Sequence, residues 1–301
     1  MTKRKVSLIG PSTLMISLPS KWVKEYGVKK GDELNIDTTG RNLIVETSSL
    51  KKSKPLIINL NGMNASLIRY NLFAAYRGGF DKIKLSFEDE SAFDENKGEK
   101  LLIFDVVDDV ISNLIGVEIF AQRNSYIEIR EVSAVNHEEF LNTLRRIFIT
   151  LVNTSSDMKD AIESNNKVVL GRIRDLSDKK VNRLCDFCSR IINKGGIVES
   201  NKIPQYYSLI SSLEEIGDSM EEICNINLKK MSSLNEVTML NNALESLYKL
   251  FCEYKIDRLK EFYNLKNIIR EAKPEGKLKI ELSKIASCMS KIIPEIVSLN
   301  L

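Results

Sequence analysis

Histidine is nearly absent from this chain of 301 residues: His137 is the only one. Any histidine-based nucleophile relay would have to pass through it, yet it stands beside Glu138 and Glu139 just after Asn136, the pattern of a helix start capped by asparagine. Long apolar runs are lacking too. No stretch approaches twenty apolar residues and the first residues have no signal-peptide core, so a cytoplasmic protein without membrane insertion is expected. Segment 56–132 contains neither G-x-G-x-x-G nor G-x-x-x-x-G-K-S/T, which leaves a nucleotide site without support. Nowhere do a nucleophile, a base and an orienting group stand together at recognisable spacing, so the expectation is a non-enzymatic protein.

Cysteine is present but scarce, five residues and an odd number. Cys185 and Cys188 spell C-x-x-C, but a zinc site needs two further soft ligands, and there is neither a second such pair nor a second histidine. A thioredoxin-like motif would follow a strand at a helix start, whereas this one falls inside a helical pattern. Core packing is the expectation, and Cys224, Cys252 and Cys288 sit in helical patterns where a free thiol behaves as a small core residue.

What is present begins with an uneven charge. Residues 1–54 hold 11 Lys or Arg against 5 Asp or Glu, whereas the remainder holds 33 against 36. The first 47 residues read as strand, strand, short helix, strand, turn, strand. Pro19 suits the entry to the helix, Gly27 its left-handed exit, and Thr39-Gly40 a hairpin turn between Ile36 and Leu43. Leu14, Ile16 and Leu18 alternate with Met15 and Ser17, giving one apolar strand face. Some ten large apolar residues are too few for a stable core, so the segment is expected to pair with a second copy. Two such basic segments together could follow a phosphate backbone.

The run Ser12 to Trp22 and the turn Gly31-Asp32-Glu33-Leu34 resemble the swapped-hairpin DNA-binding domain of the AbrB, SpoVT and MazE group. That resemblance implies two chains interlaced into one small barrel with a basic face on DNA. Arg4, Lys5 and Lys24 match basic positions of that face. Lys3 and Lys21 join them as candidate DNA contacts, while Thr13, Leu14 and Met15 stand where the family has a further basic residue.

Behind this segment the pattern alternates. Leu56 to Leu60 reads as a strand, Ala65 to Arg77 as a helix ending at Gly78-Gly79, and Lys82 to Phe87 as a strand. An acidic loop, a helix near Glu99 to Leu114, and a hairpin of Val117 to Ala121 with Tyr126 to Arg130 follow, making an α/β or α+β module. Asp105, Asp108 and Asp109 read as a solvated acidic face. From Asn136 the chain is helical, with apolar residues at three- and four-residue spacing. Breaks at Asn165-Asn166, Gly195-Gly196, Lys230 to Asn235 and Lys273 to Gly276 give roughly five helices, two of them long, stacked antiparallel. The expected fold class is therefore multidomain α and β. It comprises an N-terminal swapped-hairpin half-barrel (1–50), a central α/β connecting module (51–132) and an antiparallel helical bundle (133–301).

Within the bundle, Glu214 and Asp218 project from one helix face, and Asp178 and Asn182 share that spacing on an earlier helix. Oxygen ligands from facing helices could converge on a hard cation. The segments Asp178 to Arg190 and Leu213 to Ile223 resemble the two helical motifs of PhoU, the phosphate-uptake regulator, whose bundles carry E/D-x-x-x-D metal sites. An AbrB-like start before a PhoU-like bundle, with Leu114-Ile-Gly-Val-Glu-Ile119 between them, resembles archaeal PhoU-type regulators. The resemblance implies a divalent or iron-type metal cluster at Glu214, Asp218, Asp178 and Asn182. It also implies a homodimeric DNA-binding regulator of phosphate uptake, partnered by a phosphate transporter or its signalling protein. The alternative is an interaction protein that modulates such a partner without binding DNA. Ile216 to Ile223 aligns with Ile285 to Ile292, placing Ser287 opposite Asp218 and Ser283 opposite Glu214, a faint repeat whose second copy has no carboxylates.

Overall fold

The computed structural model describes residues 3–39, 42–47, 55–133, 136–195, 198–231, 233–274 and 276–301. The chain divides into two compact units, Met1–Lys54 and Pro55–Leu301.

In the first unit, β1 (Ser7–Ile9) and β2 (Thr13–Met15) form a hairpin through a turn at Gly10, whose φ of 69° suits glycine. The expected strand through Leu18 stops at Met15, where its pairing partner ends. Helix α1 (Ser20–Tyr26) follows Pro19, whose carbonyl accepts from Val23 N at 2.9 Å, and it ends on Gly27 in the left-handed region as the sequence implies. Asp32 then closes a turn, its carboxylate accepting from Lys29 N at 2.7 Å. β3 (Leu34–Thr39) and β4 (Asn42–Thr47) pair antiparallel, while the turn at Gly40 lies outside the described residues.

The second unit starts with β5 (Leu56–Asn59), α2 (Ala65–Arg77) and β6 (Lys82–Ser86). Asn64 caps α2 by accepting from Leu67 N at 2.8 Å, so the helix has its expected bounds. The loop after β6 differs from expectation. β7 (Ser91–Asp94) pairs with β8 (Glu99–Leu102), and α3 (Ile103–Ser112) starts only afterwards, so the first four residues of the expected helix are strand. Asp94 causes this: its carboxylate accepts from Asn96 N and Lys97 N and is held by Arg69 at 2.9 Å, a local turn that competes with helix. β9 (Val117–Arg123) and β10 (Tyr126–Glu131) form the expected hairpin. The strands assemble in the order β5-β6-β10-β9, with β5 parallel to β6 and the other pairs antiparallel. Ile83 and Leu85 stand opposite Ile129 and Ile127, so the four share one buried face of the sheet.

Six helices follow among the described residues, where five were expected: α4 (His137–Glu163), α5 (Lys167–Lys194), α6 (Ile203–Lys229), α7 (Leu234–Cys252), α8 (Ile256–Glu271) and α9 (Lys277–Asn300). The unforeseen break after Cys252 has no glycine or proline. Arg258 makes it by folding back onto the carbonyls of Lys249 (2.9 Å), in the last turn of α7, and of Glu253 (3.3 Å), the residue just after it. Asn136 caps α4 as read, accepting from Glu139 N. α4 packs on α5 and α7, α6 on α5 and α9, and α8 links α7 to α9. This is two successive three-helix hairpins in which the first helices pair with each other and the last helices pair with each other. The aligned segments in α6 and α9 occupy equivalent places.

Module and helices form one unit because α5 grips the sheet and α2. Arg190 is wholly buried; its guanidinium donates to Tyr76 O at 3.0 Å, meets Glu131 at 3.3 Å and lies 5.0 Å from the Tyr76 ring centroid. Lys194 completes the junction on Asp81 (2.7 Å) and Glu131 (2.5 Å). Tyr76 in turn donates to Ile115 O at 2.8 Å. Among the described residues, no helix is long and apolar enough to cross a membrane.

Candidate nucleic-acid interface and the helix junction

Lys3, Arg4 and Lys5 lie in the extended segment before β1, and Lys21 and Lys24 lie on α1. All five are exposed, and none makes an ion pair among the described residues. Lys21 and Lys24 are three apart and share a helix face, while Trp22 and Tyr26 pair their rings at 5.3 Å on another. Lys24 sits in the last turn, where the helix dipole favours a cation.

This unit has an unfinished core. Val6, Leu8, Ile9, Leu14, Met15, Ile16, Ile36 and Leu43 are 45–69 % exposed, and no described side chain of the unit is fully buried. At about 25 cal/mol per Å² of apolar surface, eight such side chains represent a large unrealised driving force. A single copy leaves apolar residues on both faces of its strands open.

The candidate metal ligands lie in three different surroundings. Glu214 meets Arg77 at 3.5 Å, and Arg77 also pairs with the buried carboxylate of Asp186. Burial pushes the Asp186 carboxyl up from its ordinary value, against the pull of the Arg77 charge. Asp218 opens instead on a cleft of about 500 Å³ between α6 and α9, with Glu215, Glu222 and Glu281 opposed by Lys277 and Lys284. Asn182 lines a separate cleft against α2 and α3. Asp178 lies on α5, with its side chain outside the described ones. Among the described residues no three His, Cys, Asp or Glu side chains come together to hold a metal ion.

Cys185 and Cys188 are buried, and burial raises both thiols well above their ordinary range. They are core, as the motif's place in mid-helix implies. Cys224 is likewise buried and pushed up to about 12. Cys288 is buried between α6 and α9 and donates to Glu215 at 3.1 Å. Cys252 departs from expectation: it is the last residue of α7 and is exposed. His137 is exposed at the start of α4, and Asp105, Asp108 and Asp109 are exposed along α3.

Sequence reasoning did not find Arg77, Asp186 and Arg190. Arg190 left one clue, a cation with apolar Phe187 and Ile191 beside it in the same helical stretch.

Residues 8–55 match the family model for antidote-toxin recognition MazE, bacterial antitoxin. No curated protein and no solved structure matches the chain. The N-terminal segment is therefore similar to the MazE/AbrB type of DNA-binding domain, and the match ends where the second compact unit begins.

Proposed function

We propose that this protein is a DNA-binding transcriptional regulator that works as a homodimer. Two copies of residues 1–54 complete one apolar core and present Lys3, Arg4, Lys5, Lys21 and Lys24 to the phosphate backbone. The observation that carries this reading is a basic N-terminal unit, similar to the MazE/AbrB type, whose apolar side chains are left open in a single chain. Phosphate contacts of this kind supply affinity rather than sequence choice.

The unit 55–301 is the input half in this reading. Its two three-helix hairpins and the segments Asp178 to Arg190 and Leu213 to Ile223 support likeness to PhoU-type regulators of phosphate uptake, with a phosphate transporter or its signalling protein as the partner. A ligand of this unit changes DNA affinity only if the DNA-competent dimer binds that ligand with a different affinity.

The test is light scattering and fluorescence anisotropy on the full chain with a random-sequence duplex in low salt. The expected result is a dimer that binds DNA, with binding weakened in the Arg4→Ala, Lys24→Ala double variant and the dimer kept. A dimer without DNA affinity would favour the alternative, an interaction protein whose N-terminal unit serves only to pair chains.

A further inference from the structure

The cleft at the junction of α2, α3 and α5 holds about 320 Å³, at the small end of the range for ligand pockets. Its floor is apolar, with Val110 buried and Phe73 half-buried. Its walls differ chemically. On the α5 side, Lys179 and Arg183 stand one turn apart, and neither has a carboxylate partner among the described residues. The other charges there are already satisfied: Arg69 is held by Asp94 at 2.9 Å, and Asp186 takes the guanidinium of Arg77. On the α3 side stand Asp109 and Asn113. The Asn113 amide nitrogen is spent on Asp109 O at 2.7 Å, which leaves its amide oxygen and the Asp109 carboxylate as acceptors.

We propose that this cleft is an effector site for a small phosphorylated sugar or nucleoside monophosphate. Two unspent cations on one helix face match a compact dianionic head. Guanidinium supplies the paired donors that phosphate oxygens accept, and ammonium adds a point charge. The acceptors across the cleft match hydroxyl donors on the body of the ligand, and Phe73 and Val110 match its apolar face. A bare anion would use only the α5 wall, and an apolar ligand would leave both walls unsatisfied. The same chemistry disfavours a polyanion such as DNA, because Asp109 adds a negative charge to the cleft.

The cleft also has a mechanical consequence. Asp186 forms part of its wall, and through Arg77 it connects to Glu214 on α6. A ligand anion on Arg183 and Lys179 adds negative charge beside Asp186 and so acts on the position of Arg77, the side chain that ties α2 to α5 and α6. The site stands on the geometry of residues 55–301 and is independent of the DNA-binding reading.

Thermal unfolding of the full chain with ribose 5-phosphate, adenosine monophosphate, ribose, succinate and inorganic phosphate tests it. A ligand at a hundredfold excess over its dissociation constant should raise the melting temperature by about 5 °C. The expected result is such a rise with at least one of the two phosphate esters, a smaller one with inorganic phosphate and none with ribose. The Lys179→Ala, Arg183→Ala double variant should melt like wild type without ligand, since both side chains are exposed, and should lose the shift. Loss of the shift in Asn113→Ala as well would place the body of the ligand against α3. No shift with either ester up to 10 mM, a shift that survives the double substitution, or an equal or larger shift with succinate would overturn the proposal.

Discussion

Arg190 shows how much one side chain carries in the second unit. Its guanidinium is fully enclosed, its two terminal nitrogens meet Tyr76 O and Glu131, and Lys194 shares the Glu131 carboxylate. Arg190→Met keeps the bulk but leaves a buried carbonyl and carboxylate short of donors. Breaking one member of such a group costs about 3 kcal/mol, at the lower end of the usual range because Lys194 remains. Urea unfolding should show that loss as a lower midpoint with an unchanged slope. By contrast, Lys260→Ala should change stability by less than about 0.5 kcal/mol, because its pair with Asp257 is largely exposed. Asp81 gives the junction a pH signature. Burial works to raise its carboxyl, but the hydrogen bond from Lys194 and the charges of Lys194 and Arg190 prevail and hold it below its ordinary value. A depressed folded-state value stabilises above the unfolded value, about 3.9, and that stabilisation is lost as pH falls through the folded one. Wild type should therefore exceed Asp81→Asn in melting temperature at pH 6, and the gap should close as pH falls below 4.

At the scale of elements, the α5 and α6 crossing depends on Gly217. A Cβ there would stand 3.2 Å from Val181 Cγ1, so the two helices meet at nearly backbone distance. Gly217→Leu should push them apart at a cost of about 1–3 kcal/mol, seen in thermal unfolding. Gly116 is constrained differently, by a φ of 75° and by Ser133, whose Oγ a Cβ would strike. The cysteines report on the same packing. In native protein a thiol reagent should modify Cys252 rapidly, and the other four should react only after unfolding, because they are buried.

How far these elements were legible follows from what marks them. Helix α2 could be read to the residue because Asn64 and Gly78 flag both ends locally. The break after α7 could not, because the residue that makes it, Arg258, acts from the next helix. Likewise Asp94 turned an expected helix start into a hairpin with help from Arg69, a partner 25 residues away. The basic N-terminal face was visible as a charge count. The Arg77 and Arg190 junctions join residues 59 to 137 positions apart, a separation that periodicity does not register.

For the whole molecule, the central contrast is between a unit that buries its apolar residues and one that does not. Residues 55–301 enclose a continuous core, while the described residues of 1–54 leave eight large apolar side chains open beside lysines and an arginine that have no ion pair among the described residues. A second copy answers the first deficit and a polyanion the second. Each phosphate neutralised releases condensed counterions, so binding should weaken with salt in proportion to the number of contacts. The decisive measurement is the affinity of the full chain for a duplex as a function of salt between 50 and 200 mM. With about six phosphates contacted, affinity should fall roughly a thousandfold over that range, and the logarithmic slope should be shallower in the Arg4→Ala, Lys24→Ala variant. Affinity that is absent at 50 mM, or a slope that these substitutions leave unchanged, would contradict DNA binding by the N-terminal unit.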